Sequence, residues 1–299
     1  MRKLFCLCSA FLFTVVFGSS PNAHAQIART AVGADAAAIL ATVDQFRADL
    51  GISNGVGPCN GTTCLPGVGR REVNWDGVGD AASSPNVFPG DFFNQATGGP
   101  AGRIRGIEFS TTGTFEVSAD SDSDGDGTPG PVATLFGNHS PDNADDFAAF
   151  SAERIFGIVG SNELDVTFSL PGSPDVPALV KGFGAVFTDV ELAGATKLEF
   201  FDGNDQLIHT ENALAFATGP SGESFDSFSF VGVSFADAVV SRVHITNGGF
   251  DLNLVQIGLN DSVAMDDFIF GEPISIPEPS ALVLVMSAVS WAGVRRIRS

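Results

Sequence analysis

Alternation of hydrophobic and polar side chains along much of the chain predicts β-strands. From Leu164 to Leu170 every second residue is hydrophobic and those between are polar, which is the pattern of a strand buried on one face. Further stretches with this alternation, or with an apolar run of strand length, are Thr114–Ala119, Lys181–Val190, Thr196–Asp202, Gln206–Glu211, Ser227–Phe235, Val239–Thr246 and Ser262–Phe270. Because the stretches are short and no helices separate them, the sequence predicts a mainly β chain, folded as an antiparallel β-sandwich.

One connection between strands is predicted in more detail. Lys197–Phe201 and Gln206–His209 flank the tetrapeptide Asp202-Gly203-Asn204-Asp205. These residue types tolerate positive φ, so the two strands are expected to form a hairpin.

A single segment near the start of the chain has helical periodicity instead. Within Ala34–Leu50 the large apolar residues recur at helical spacing, and they are Ile39, Leu40, Val43, Phe46 and Leu50. Gly51 follows, where a helix C-terminus favours glycine. Residues 26–52 are therefore predicted to be a short N-terminal helical segment that packs on the sandwich.

The first 25 residues have the order of a secretory signal peptide. Arg2 and Lys3 precede an apolar run, and Ala23 and Ala25 supply small residues before a cut at Gln26. Residues 1–25 are therefore expected to engage the secretion machinery and signal peptidase.

The last 24 residues contain a glutamate between two prolines, followed by a short apolar run. Pro277-Glu278-Pro279 precedes fourteen residues, Ala281–Val294, which carry no charge. As a helix this run spans about 21 Å, short of a hydrocarbon core of about 30 Å. Three arginines follow it, namely Arg295, Arg296 and Arg298, and they would hold the tail on the cytoplasmic side of a membrane.

This arrangement over residues 276–299 resembles the PEP-CTERM sorting segment. The resemblance implies transient membrane insertion through a C-terminal hydrophobic helix, followed by cleavage near Pro277–Pro279 by an exosortase-type transpeptidase. It also implies a Gram-negative bacterium that makes exopolysaccharide. The protein would pass through an inner-membrane intermediate to the cell surface or extracellular matrix. An ordinary single-span anchor is the alternative.

The region between the two ends also resembles a known group. Gly182–Val190, Phe228–Val233 and Met265–Phe268, with Gly69–Gly77 upstream, are similar to exported jelly-roll domains that occur with this C-terminal signal. The resemblance covers about residues 44–273 and implies a jelly-roll-like sandwich over residues 53–275. It implies no established activity, because a fold by itself does not define a function.

Composition narrows the range of partners. The chain has 299 residues with 15 Lys and Arg against 35 Asp and Glu, a formal net charge of −20. Such a charge repels polyphosphate, so nucleic acid is not an expected partner. Cys59 and Cys64 are expected to form a small local disulfide, since an exported chain meets oxidising conditions.

An aspartate-rich loop is the first candidate metal site. Asp120, Asp122, Asp124 and Asp126 alternate with small residues and match the first half of a calcium-binding loop. Pro131 stands where that loop would have its bidentate Glu. A helix-free loop with weak Ca²⁺ affinity and a solvated acidic turn both remain open.

A second candidate is the pair Asp266 and Asp267 inside an apolar strand. Adjacent residues of a strand point to opposite faces, so one carboxylate is expected to face inward. A buried carboxylate is costly unless it gains hydrogen bonds, an arginine or a cation. Ca²⁺ and backbone N–H groups are the alternative partners.

Signals for catalysis are few. The sequence has no G-x-S-x-G nucleophile turn and no phosphate-binding glycine loop before a helix. Trp75, next to Asp76, is either a core residue or a contact for a sugar ligand, and its usual burial favours the core.

These features lead to three hypotheses for function. The first is a non-enzymatic exported binding or structural module associated with exopolysaccharide. The second is a secreted polysaccharide-active hydrolase that uses a pair of carboxylates. The third is an acidic matrix protein that binds cations without a specific ligand.

Overall fold

The structure, a computed structural model, describes residues 24–59, 64–122, 128–216, 227–253 and 261–276. The predicted signal peptide up to Ala23, the sorting motif Pro277–Pro279, the hydrophobic run and the arginine tail lie outside the described residues. Among the helices within the described ranges, none combines the length and the apolar composition that crossing a bilayer requires.

Fourteen strands and two α-helices are assigned within the described residues. The strands are β1 (Gln26–Gly33), β2 (Arg70–Val73), β3 (Ile107–Ser110), β4 (Thr114–Val117), β5 (Phe156–Val159), β6 (Glu163–Leu170), β7 (Ser173–Leu179), β8 (Gly182–Thr188), β9 (Lys197–Phe201), β10 (Leu207–Asn212), β11 (Phe228–Phe235), β12 (Arg242–Thr246), β13 (Ala264–Gly271) and β14 (Ile274–Ser275). The helices are α1 (Ala36–Leu50) and the single turn α2 (Asn143–Asp146).

The strands form two antiparallel sheets, which confirms the predicted mainly β sandwich. The first sheet runs β1-β11-β8-β13-β5-β4, and β2 also pairs with β13. The second sheet runs β10-β9-β12-β6-β7-β14, and β3 also pairs with β6. The predicted hairpin is present, because β9 and β10 are antiparallel neighbours joined through a turn with Asp205 at φ 58°.

A phenylalanine-rich core fills the space between the sheets. Phe168, Val166 and Leu164 of β6 point inward, as their alternation predicts, and they are buried. Trp75 lies at the centre with its side chain fully buried, stacked on Phe156 at 4.2 Å between ring centroids. The apolar area removed from water here is the main stabilising contribution to the fold.

Helix α1 covers the outer face of the first sheet. It begins after Asp35, whose side chain accepts a hydrogen bond from the Ala38 N–H at 2.9 Å, and it ends at Gly51 with φ 104°, a conformation that favours glycine. Its buried face consists of Ile39, Val43, Phe46 and Leu50. Strands β8, β11 and β13 are consequently buried on both faces.

The sequence prediction for residues 26–52 is only partly correct. Residues 36–50 form the expected helix, but Gln26–Gly33 is a strand that pairs with β11 along its whole length. Leu40 was expected on the buried face, but it is 44% exposed. The segment therefore completes the first sheet instead of forming a separate helical unit.

Two glycines allow the helix to approach the sheet closely. Gly184 and Gly232 are opposite each other on β8 and β11. A Cβ atom on Gly232 would lie 2.8 Å from the Phe46 ring and 2.8 Å from the Phe230 ring, and one on Gly184 would also meet Phe46 at 2.8 Å. The absence of side chains at these two positions creates the space that the Phe46 ring fills.

We expect Gly232→Ala to lower the free energy of unfolding by about 1–3 kcal/mol, because overpacking a filled core forces the rings and the helix to shift. Chemical denaturation measures the change. Gly102→Ala is the matched control, since a Cβ there meets no atom within 4 Å. Equal stabilities for the two variants would contradict this account of the packing.

The predicted disulfide is confirmed. Cys59 and Cys64 are bonded, with their Cα atoms 5.4 Å apart. The bridge closes a small loop beside the fully buried ion pair of Arg71 and Glu272, whose Nε and Oε2 atoms are 2.8 Å apart.

Candidate functional site

Three carboxylates converge on one hydroxyl group at the first sheet. The Ser151 Oγ lies 2.8 Å from Asp267 Oδ1, 3.3 Å from Asp266 Oδ1 and 3.4 Å from Asp76 Oδ2. We call Asp76, Asp266, Asp267 and Ser151 the carboxylate cluster. A serine hydroxyl donates one proton, so it cannot satisfy all three carboxylate oxygens at once.

A bulge in β13 brings two of these carboxylates together. The pairing of β13 with β8 changes register between Met265 and Phe268. The expectation that Asp266 and Asp267 point to opposite faces is therefore wrong, because a bulge breaks the alternation of side chains. Both side chains reach Ser151 instead.

The remaining carboxylate oxygens of the cluster are held by the protein. Asp266 Oδ2 accepts from the Phe150 and Ser151 N–H groups at 2.6 and 3.1 Å. Asp76 Oδ1 likewise accepts from two backbone N–H groups, those of Glu153 and Arg154. These bonds fix the direction of the oxygens that face Ser151.

One cation approaches this group of acids. Arg47 of α1 donates to Asp267 Oδ2 at 3.1 Å and also to Glu72 Oε2 at 2.9 Å. Burial, followed by the charge of Asp267, raises the pKa of Asp266 well above its ordinary value. Burial also raises the pKa of Asp267. The cluster is therefore short of positive charge among the described residues. Carboxylate and hydroxyl oxygens are the ligands that Ca²⁺ prefers, and Ca²⁺ at Asp266 and Asp267 stays a prediction.

The pH dependence of stability is expected to reflect the raised pKa of Asp266. As pH rises above the ordinary value of 3.8, this carboxyl ionises freely in the unfolded chain but resists ionisation in the folded one. The folded state then holds more protons, so the free energy of unfolding falls as pH rises. In EDTA, we expect the free energy of unfolding to fall less for Asp266→Asn than for the wild type between pH 4 and pH 7. The exposed Asp237→Asn is the matched control, and an Asp266→Asn curve parallel to the wild type would contradict the assignment.

Calcium is expected to stabilise the protein through the same cluster. A cation that binds only the folded state at ten times its Kd should raise the melting temperature by about 3–6 °C. We expect this rise for the wild type and for Asp237→Asn, and its loss in Asp266→Asn. Melting curves recorded in CaCl₂ and in EDTA measure the change. A wild-type melting temperature that is the same with and without millimolar calcium would contradict calcium binding at the cluster.

At Asp120, the first residue of the aspartate-rich loop, the structure shows an ion pair where a metal ligand was expected. Asp120 is buried and forms an ion pair with the buried Arg154, whose Nη2 lies 3.0 Å away. The Arg154 guanidinium therefore occupies the position that a metal ion bound to Asp120 would need. Asp122 is exposed, whereas Asp124 and Asp126 lie outside the described residues, so a calcium site at these three stays a prediction.

Trp75 does not contact solvent. Its side chain is fully buried, and its indole Nε1–H donates to the backbone oxygen of Asp266 at 3.0 Å. The alternative role as a ligand contact is therefore wrong, and the core interpretation is correct. This hydrogen bond holds the backbone of β13 at the bulge, next to the carboxylate cluster.

A groove with a volume of about 410 Å³ crosses the outer face of the second sheet, within the size range of ligand sites. We call it the sheet groove. Its floor is formed by Glu108, Thr167 and Arg242, which occupy outward positions on β3, β6 and β12. One wall is β7 and the other is the turn between β9 and β10 that carries Asp205.

The sheet groove combines polar groups with apolar surfaces. Carboxylates of Glu108 and Asp205 and the hydroxyl of Thr167 line it, while Pro174 and Pro177 supply apolar faces on β7. Sugar rings present hydroxyl groups at their edges and C–H groups on their faces. A surface of this mixed type can bind both.

The sequence predictions did not identify the sheet groove. Glu108, Thr167, Arg242 and Asp205 belong to four separate segments and match no local motif. The available signal was the outward half of each alternating strand, which shows that these side chains leave the core but does not show which strands are neighbours.

Comparison with known proteins gives little further definition. No protein-family model and no curated protein sequence matches the chain. Among solved structures, it is similar to the enzymatically active domain of tailspike protein 4 from bacteriophage CBA120, at 13% identity and a TM-score of 0.26. The match covers 70% of this chain, which spans only 23% of the tailspike chain.

The expectation of a non-enzymatic protein finds no support in this comparison, because the matched structure is described as an enzymatically active domain. A TM-score of 0.26 carries no argument for a particular reaction. The assignment of a function therefore depends on the residues of the sheet groove.

Proposed function

We propose that this protein is exported and polysaccharide-active, and that it holds a glycan chain in the sheet groove. The observation that carries the proposal is the groove itself, with carboxylates, a hydroxyl group and proline faces arranged along an open channel. Hydrogen-bonding groups beside apolar surfaces are the usual composition of a small-molecule site.

The two ends of the sequence support the location. Residues 1–25 have the pattern of a signal peptide, and residues 276–299 resemble a PEP-CTERM sorting segment. Under this proposal signal peptidase and an exosortase-type enzyme process the chain, which then works at the cell surface or in the matrix of a Gram-negative bacterium, in contact with exopolysaccharide.

Glycoside hydrolysis is the reaction that the groove can support. The reaction needs one carboxyl group to protonate the leaving oxygen and a second carboxylate to act as nucleophile or base. Glu108 on the floor and Asp205 on the wall supply two carboxylates to one channel. The Arg242 guanidinium fixes Asp205, with its Nη2 2.5 Å from Asp205 Oδ1. Of these two groove carboxyls, one would act as the acid and the other as the nucleophile or base.

The test is the release of reducing ends from a panel of bacterial and plant polysaccharides by residues 26–276, which include the whole lining of the groove. We expect Glu108→Gln to lower the rate by about 10²–10⁴-fold, the range for loss of one general acid or base. Glu163→Gln, which removes an exposed carboxylate outside the groove from the same face of β6, should keep the wild-type rate. Absence of both binding and cleavage across the panel would overturn the proposal.

A further inference from the structure

We infer that the sheet groove selects glycans with free amino groups, and that Glu108 is the residue that recognises them. This inference rests on the proposed function and specifies its substrate class. The amine-bearing sugars of a partly deacetylated amino-sugar polymer have the matching chemistry. Acidic polysaccharides such as polyuronates do not.

The first step is the charge of the protein. Its formal net charge of −20 repels a polyanion before any contact is made. Glu108, Asp202 and Asp205 line the groove against one arginine. The local charge therefore has the same sign as the long-range field.

The second step is that the arginine of the groove is already occupied. The Arg242 Nη1 atom lies 2.7 Å from Asp165 Oδ1, and its Nη2 lies 2.5 Å from Asp205 Oδ1. The guanidinium also stacks on the Phe201 ring, with Cζ 3.8 Å from the ring centroid. An anionic sugar would have to displace two carboxylates to reach it. Arg242 is therefore a structural support for the groove and not an anion receptor.

The third step is the different situation of Glu108. This side chain is exposed, and its one assigned contact among the described residues is a hydrogen bond from Asn94 Nδ2 to Oε2 at 3.1 Å. No cation within the described ranges forms an ion pair with it. A protonated amine would add the attraction of opposite charges to its hydrogen bond with this carboxylate. An N-acetyl group offers only a neutral amide in the same place.

The neighbours of Glu108 favour this role. Asn94 Oδ1 accepts a hydrogen bond from the Ser169 hydroxyl, so the amide that orients Glu108 is itself fixed. Thr167 lies directly opposite Glu108 on β6 and adds a hydroxyl group beside it. The carboxylate is thus held at the floor of the channel with one oxygen free of assigned contacts.

The experiment compares three tetrasaccharides by isothermal titration calorimetry at pH 6 and 0.15 M NaCl. They are β-1,4-linked glucosamine, the same chain fully N-acetylated, and a uronic acid tetramer. We expect the wild type to bind the glucosamine tetramer at least tenfold more tightly than the N-acetylated one and to show no binding of the uronate.

Two variants separate recognition by Glu108 from general attraction between charges. Glu108→Gln should bring the ratio of the two affinities close to one, whereas Glu163→Gln removes the same charge outside the groove and should preserve it. An equal loss in both variants would show general charge attraction and overturn the inference.

The outcomes also separate this inference from the proposed function. Equal binding of the two tetramers by the wild type would overturn amine selection but would still agree with glycan binding in the sheet groove. Binding of neither tetramer, together with no binding across the polysaccharide panel, would overturn both.

Discussion

The packing of α1 on the first sheet makes the two faces of the sandwich different. Phe46 enters the space above Gly184 and Gly232, and the helix then covers the outer face of β8, β11 and β13. The central strands of the first sheet are thereby buried on both sides. No helix of the described residues covers the second sheet, and its outward side chains are the polar half of its alternating strands. The asymmetry between the two faces leaves the second sheet as the accessible surface of the sandwich.

The carboxylate cluster and the sheet groove have different functions in this arrangement. The cluster joins β13, the segment after β2 and the segment before β5, and it reaches α1 through Arg47. A cation there would connect elements that are distant in sequence and would stabilise the first sheet. The groove lies on the second sheet, with the aromatic core between the two. A metal in the cluster would therefore act on the stability of the fold and not on a bound glycan.

Local sequence patterns predicted the parts of the fold that depend on neighbouring residues. Alternation located β6, apolar runs of strand length located β8 and β13, turn-forming residues located the β9–β10 hairpin, and two close cysteines indicated the disulfide. The strand β1 was missed, because its polar and apolar residues do not alternate strictly and its partner β11 is about 200 positions away. The bulge at Asp266 was missed for a similar reason, since it is a property of the register with β8. The groove required knowledge of which strands are adjacent.

The position of Ile276 has a consequence for how the groove meets a polymer. This residue, the last one described, lines the sheet groove and lies beside Pro177, whose oxygen is 3.4 Å from its backbone nitrogen. A group covalently joined to the chain at Ile276 would therefore be tethered beside the sheet groove. A short tether of this kind gives its two ends an effective concentration in the millimolar range. A ligand tethered there would occupy the groove for most of the time if its Kd lies below that concentration.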